Sequence, residues 1–301
     1  MLRMDTRQAI KQAITGLAIL TLTWACSPLN QPEATPTPSA PTHPPTEISV
    51  SIETTTPDVS TSTAESCTDQ TGHVQVGVFD ADALPQFHIY LPPCYDENSF
   101  RRYPVLYLIH GQGFSDAQWI ELGVAQTADA LIADEEIPPF IIVMPFDRFS
   151  TWLVEDDLFG EVFVDEFIPF IEGRYRTLGK RPFRAIGGLS RGAGWAFRHG
   201  LSNWKLFSIV GLHSPAIFHN DAAKANAWLD TIPQAAWPQI YLDVSDQDAE
   251  TDLALEFGNL LTEIGIPHEW HLFTGLHNED YWRAHVGDYL RWYGQAFEVR
   301  P

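Results

Sequence analysis

Positive charge is scarce in this chain: 18 Lys and Arg stand against 39 Asp and Glu, for a formal net charge of −21. So acidic a protein repels a phosphate backbone or an anionic membrane surface, which excludes nucleic acid as an expected partner. A long membrane-spanning run is missing as well. The apolar stretch AITGLAILTLTWA at 13–25 is too short to cross a bilayer comfortably. No internal repeat and no second folded domain is visible. A zinc helix is also absent, because His268 and His271 in HEWH lack the i, i+4 spacing and sit in a strand pattern. No metal and no other cofactor is expected. What the chain does have is apolar material, 45% of residues, which is ample for a core.

The N-terminus is organised differently from the rest. Arg3, Arg7 and Lys11 precede the apolar stretch, which ends in a small residue directly before Cys26, the layout of an export signal over 1–26. TWAC resembles a bacterial lipoprotein signal, which implies lipidation of Cys26 and anchorage to the outer face of the cell membrane; plain secretion and an uncleaved anchor are the alternatives. Residues 27–65 are dominated by Pro, Thr, Ser and Ala and have no apolar periodicity, so they read as a disordered tether that cannot bury enough surface to offset its ordering entropy. The membrane is a partner only through that anchor.

Assigning Cys26 to the lipid turns an odd count of three cysteines into the pair Cys67 and Cys94. HVQVGVF (73–79) and QFHIYLP (86–92) alternate as strands about the turn DADAL. In such a hairpin, paired residue numbers add to a constant near 162, so Cys67 and Cys94 meet at its open end and a disulfide is expected there, with two unpaired thiols as the alternative.

From residue 104 onward short apolar runs alternate with helical stretches: PVLYLIH, FIIVMP, FRAIGG, LFSIVGLH, QIYLDVS and HEWHLF. Strands apolar on both faces with helices between them predict a mostly parallel sheet covered on both sides, an α/β architecture opened by the antiparallel hairpin. Leu253, Phe257, Leu260, Leu261 and Ile264 fall on one helical stripe, and Trp282, Val286, Tyr289, Leu290, Tyr293 and Phe297 on another.

Ligands of open α/β sheets bind beyond the carboxyl ends of the strands. FRAIGG runs into Gly188-Leu189-Ser190-Arg191-Gly192, a G-x-S-x-G pattern between strand and helix that would hold Ser190 as a nucleophile on a strained turn. A chance match in a chain this long is roughly one in ten, so the pattern needs company. PVLYLIH ends in His110-Gly111-Gln112-Gly113, where a backbone N–H of Gln112 or Gly111 would join that of Arg191 in an oxyanion hole, with His110 in a structural role. QIYLDVS ends near three acids, of which Asp248 is preferred to Asp246, and Asp243, still inside the strand, is the poorest choice. His277 follows the last strand in TGLHNEDYW, which completes the chain order serine, acid, histidine. Phe114, Trp119, Trp152 and His213 are candidates for the substrate pocket, each with ordinary packing as its alternative.

The ordered series IYLPPCYD, PVLYLIHGQG, FIIVMPFD, FVDEFIPFIEGRYRT, RAIGGLSRGAG, IYLDVSDQD and GIPHEWHLFTGLHNEDYW resembles the esterase D-like ("putative esterase") branch of the α/β-hydrolases. Relatives in that branch include feruloyl and acetyl xylan esterases, S-formylglutathione hydrolases, enterochelin esterases and mycolyltransferases. The resemblance implies an α/β-hydrolase domain over 66–301, with Ser190 as nucleophile, Asp248 as acid, His277 as base, and the backbone of Gln112 and Arg191 as oxyanion donors. Phe114, Arg191, Ala193 and Ser245 depart from residues common in the branch: glycine, methionine, glycine and glycine respectively. None of these removes a catalytic group, although the Arg191 side chain is expected to shape the pocket. The implied activity is hydrolysis of a small-molecule or polysaccharide-linked ester through an acyl-enzyme. Transfer to a sugar or lipid acceptor, or a tethered binding protein that keeps only the fold, are the alternatives.

Overall fold

The computed structural model describes residues 70–298. The segments expected to be an export signal and a tether, with Cys26 and Cys67, lie outside the described residues. Among the described residues, no helix is long and apolar enough to cross a membrane.

Eight strands form one sheet in the order β1-β2-β4-β3-β5-β6-β7-β8. They are β1 His73–Val78, β2 Gln86–Leu91, β3 Val105–Ile109, β4 Ile141–Pro145, β5 Arg184–Leu189, β6 Ile209–His213, β7 Gln239–Gln247 and β8 His268–Leu276. β1 runs antiparallel to β2 and β2 antiparallel to β4, while β4, β3, β5, β6, β7 and β8 are parallel neighbours. β3 to β6 are buried along their whole length, which is why they read as unbroken apolar runs. The edge strand β8 alternates instead, half-buried against exposed.

The four longest helices cover the two faces: α1 Val124–Ala133, α2 Arg191–Ser202, α3 Thr251–Ile264 and α4 Glu279–Glu298. Side chains of successive strand residues point to opposite faces. Tyr107, Ile186 and Leu212 accordingly join Trp195, Phe197 and Phe257 beneath α2 and α3. Leu106, Ala185 and Ile209 join Leu131, Tyr289 and Tyr293 beneath α1 and α4. The stripe expected on α4 is buried throughout. On α3, Phe257 and Leu261 are buried, whereas Leu253, Leu260 and Ile264 are only half-buried.

The hairpin register differs from the expected one. Paired numbers add to 164, as in His73 with Leu91, because the chain reverses through a turn in which the Leu84 N–H reaches the Ala81 carbonyl, one residue later than expected. That register carries Gln70 opposite Cys94, and Gln70 Oε1 lies 3.5 Å from Cys94 Sγ. The pairing of Cys94 with Cys67 therefore does not follow from register and is taken up below as a proposal.

Candidate active site

β5 delivers Ser190 to the carboxyl end of the sheet, and α2 begins at the next residue. Ser190 has φ 53° and ψ −121°, a backbone state that L-residues avoid and that persists only where the surroundings enforce it. The flanking glycines do the enforcing. A Cβ on Gly188 would lie 2.4 Å from the Gly192 carbonyl carbon, and one on Gly192 would lie 2.1 Å from the Ile109 oxygen, so strand and helix meet only because both side chains are missing. The Ser190 N–H donates to the His213 carbonyl at 3.0 Å, and its own carbonyl accepts from Gly194 and Ala216. The Oγ is thereby held at the top of the sheet.

His277 follows β8 and faces that hydroxyl. Its Nε2 is 2.9 Å from Ser190 Oγ, and its Nδ1 is 2.7 Å from Asp248 Oδ2. A carboxylate only accepts, so Nδ1 carries the proton and Nε2 is left to accept from the serine. Trp282 and the imidazole are T-shaped to one another, with ring centres 5.0 Å apart. The pairing of β7 with β8 breaks between Ser245 and Gln247, and this irregularity at the strand end precedes the turn that brings Asp248 across to the ring. Burial raises the Asp248 carboxyl, but hydrogen bonds from His277 and from the Glu250 N–H outweigh it and hold the group below its ordinary value. Asp246 does something else: its Oδ1 accepts the Gly275 N–H at 3.1 Å. Asp243 is fully buried and consumed by Tyr281 and Tyr289 hydroxyls at 2.7 and 2.9 Å and by His213 Nδ1 at 2.8 Å.

The turn after β3 runs alongside. Its Gly111 N–H donates to Gln118 Oε1 at 2.8 Å, Gly113 to Ser150 Oγ at 3.1 Å, and Phe114 to the Gly111 carbonyl at 3.3 Å. Those commitments remove Gly111 as an oxyanion donor and single out Gln112. Arg191, as the first residue of α2, has an N–H without an intrahelical acceptor. His110 donates from Nδ1 to the Gly111 carbonyl and accepts the Asp147 N–H at Nε2. Burial lowers its pKa to about 4, so it is a neutral brace for the turn.

A pocket of about 200 Å³ opens onto these groups, lined among others by Gln112, Phe114, Ser190, His277, Glu279 and Trp282. Phe114 thus reaches the pocket. Trp119 does not: it is buried and its Nε1 donates to the Ile109 carbonyl. His213 is also buried, stacked on Tyr289 with its Nε2 3.1 Å from the Tyr293 hydroxyl, because the last residue of β6 points down into the α4 layer. Trp152 is half-exposed and stacked on Phe149, outside the pocket lining. The Arg191 side chain does not shape the pocket either. It turns inward and donates from Nε to Asp147 Oδ2 at 3.1 Å, from Nη2 to Asp157 Oδ2 at 2.6 Å, and from Nη1 to the Trp152 carbonyl. Burial, then the charge of Asp157, pushes the Asp147 carboxyl up to about 7. Sequence reasoning missed this cluster, although Asp147 stands at the end of FIIVMPFD, a strand end where an acid was open to inspection.

The sequence model of the "Putative esterase" family matches residues 82–293. An endo-1,4-beta-xylanase/feruloyl esterase of Xylanibacter ruminicola is 38% identical over 136 residues, 40% of this chain and 18% of that protein. An esterase of Mycobacterium tuberculosis is 30% identical over 152 residues, 48% of this chain and 32% of that protein. The matched segments therefore span less than a third of either relative. Among solved structures, a ferulic acid esterase is 25% identical with a TM-score of 0.67, over 75% of this chain and 99% of that one. An S-formylglutathione hydrolase of Staphylococcus aureus shares the fold at 15% identity, with a TM-score of 0.61 over 74% and 99% of the two chains.

Proposed function

The chain belongs to the "Putative esterase" family of α/β-hydrolase proteins, and on that premise we propose that it is a serine carboxylic-ester hydrolase working through an acyl-enzyme. The observation that carries the reading is the continuous contact from Ser190 Oγ through His277 to Asp248, at 2.9 and 2.7 Å. In the first half-reaction His277 Nε2 takes the hydroxyl proton as Oγ bonds to the ester carbonyl carbon. The carbonyl oxygen becomes an oxyanion received by the N–H groups of Gln112 and Arg191, and each such donor contributes about 3 kcal/mol to the transition state. Collapse breaks the ester C–O bond while His277 returns the proton to the leaving alcohol. Water then repeats the sequence, and the acid departs. Asp248 holds the imidazole in the required tautomer and stabilises its positive charge. The His277 side chain is about one third exposed, so water has access to the acyl-enzyme.

The substrate is proposed to be a small-molecule or polysaccharide-linked ester, and the names of the relatives put feruloyl esters on the panel to be tried. Export through residues 1–26, lipidation of Cys26, a tether over 27–65 and a hydrolase domain from residue 66 belong to the same proposal and are supported by sequence layout, and a Cys67–Cys94 disulfide by the disulfide-bonded state of Cys94 and the pair of cysteines left once Cys26 is set aside.

The test is turnover of p-nitrophenyl acetate, p-nitrophenyl butyrate and methyl ferulate by the purified protein and by its Ser190→Ala variant. Loss of three or more orders of magnitude in kcat is expected, together with loss of fluorophosphonate labelling. Wild-type turnover in the variant would overturn the reading.

A further inference from the structure

The pocket at Ser190 is walled mostly by neutral groups: Gln112, Phe114, Gln118, Leu189, Asn278 and Trp282. Apart from the titratable His277, its only ionisable side chain is Glu279, and no Lys or Arg lines it. The nearby cations are engaged elsewhere. Arg191 lies inside the fold between Asp147 and Asp157, and Arg283 donates to the Glu121 carbonyl. Among the described residues Glu279 makes no ion pair and its side chain makes no hydrogen bond.

Glu279 is also on a definable side of the reaction. The imidazole that takes the serine proton must hand it to the departing alcohol, so that alcohol lies against His277 and the residues following it. Glu279 is two residues on, at the first position of α4. Resting on the hydrolase reading above, we infer that Glu279 is a specificity-determining residue: it admits neutral or cationic alcohol leaving groups and disfavours anionic ones. A leaving-group anion held roughly 7 Å from the carboxylate, at an effective dielectric of about 40, would lose between about three- and tenfold in kcat/KM. The net charge of −21 acts in the same direction on encounter. This would separate the chain from enzymes whose alcohol or thiol product carries carboxylates.

A helix start favours an acidic residue for its own sake, which is the competing account of Glu279. Asp280 is the control, because it lies in the same first turn but not in the pocket lining. The experiment measures kcat/KM for three phenyl acetates bearing a meta methyl, sulfonate or trimethylammonium group, each normalised to its rate with hydroxide. In the wild type the neutral and cationic esters should exceed the sulfonate. Glu279→Gln should lower the neutral-to-anionic ratio three- to tenfold, mainly through KM, and Asp280→Asn should change it by less than about twofold. The wild-type ratio should also fall toward one in about 0.5 M NaCl, a readout that stands even if the Gln variant folds poorly. An active Glu279→Gln enzyme with an unchanged ratio, or an equal shift in Asp280→Asn, would overturn the inference alone. Failure of the wild type to exceed Ser190→Ala on any of the three esters would remove the hydrolase reading, and the inference with it.

Discussion

Arg191 Nη2 donates to Asp157 Oδ2 at 2.6 Å with both side chains buried, which ties the residue after the nucleophile to the long segment that follows β4. The same guanidinium holds Asp147 and the Trp152 carbonyl, and Trp195 Nε1 adds a donor to Asp147 at 3.0 Å. One cation thus serves two buried carboxylates. In the proposed mechanism the backbone N–H of Arg191 receives the oxyanion, while its side chain fixes a loop.

Those two roles separate in an Arg191→Met variant, which replaces the guanidinium by an uncharged side chain of similar length. Its N–H survives, so kcat of the folded protein should stay within about tenfold of wild type. Stability should fall by about 3–5 kcal/mol at pH 7, the usual result of removing one partner from a buried ion pair. Adding Asp157→Asn should recover part of that loss. Urea denaturation of the three proteins checks this, and unchanged stability in Arg191→Met would show that the clasp contributes nothing.

The raised carboxyl of Asp147 gives the cluster a pH signature. A group that holds its proton more tightly when folded contributes stability that is complete below its unfolded pKa and is lost as pH rises through its folded value, here about 7. His110 and His199, both lowered to about 4 by burial, act in the opposite sense: their contribution is complete above pH 6.5 and is lost as pH falls toward 4. The measurement must therefore be a difference, in which the histidine contributions cancel. The stability of wild type minus that of Asp147→Asn should decline from pH 5 to pH 8, with a slope of at most about 1.4 kcal/mol per unit. A difference that stays flat over that range would place the Asp147 proton outside it.

Much of this arrangement was legible in the amino-acid order, and the exceptions have physical causes. β3 to β6 announce themselves because helices bury both faces, and Ser190 and His277 because strand-end position and chain order constrain them together. The direction of a strand-end side chain is harder to read. His213 ends β6 as a catalytic residue would, yet the pleat turns it beneath the sheet edge, against Tyr289 and Asp243. Trp119 takes its packing alternative for a similar reason: a residue of a loop at the strand ends still belongs to the core when its indole reaches back to the Ile109 carbonyl. Arg191 depended on the course of residues 146–158, a loop with no periodicity to reveal where its acids fold back. The hairpin register hung on a turn that starts one residue late, and a one-residue change in the turn moves every cross-strand pair.

Asp248, preferred to Asp246 on the sequence, lies 2.7 Å from His277 Nδ1, and the two carboxylates give the most direct test of the acid. Asp248→Asn leaves a side chain of the same shape beside His277 Nδ1, but its amide can donate to that nitrogen and favour the tautomer with the proton on Nε2. That imidazole has no lone pair for the Ser190 proton. A loss of about 10³–10⁴ in kcat with little change in KM is expected. Asp246→Asn retains the oxygen that accepts the Gly275 N–H, so its kcat should remain within about twofold of wild type. The hydrogen bonds from His277 and Glu250 keep the Asp248 carboxyl below its ordinary value, so it stays ionised at neutral pH. Steady-state kinetics of the two variants on p-nitrophenyl acetate decide the matter. If Asp246→Asn cost as much as Asp248→Asn, the carboxylate 2.7 Å from His277 would not be the group that orients it.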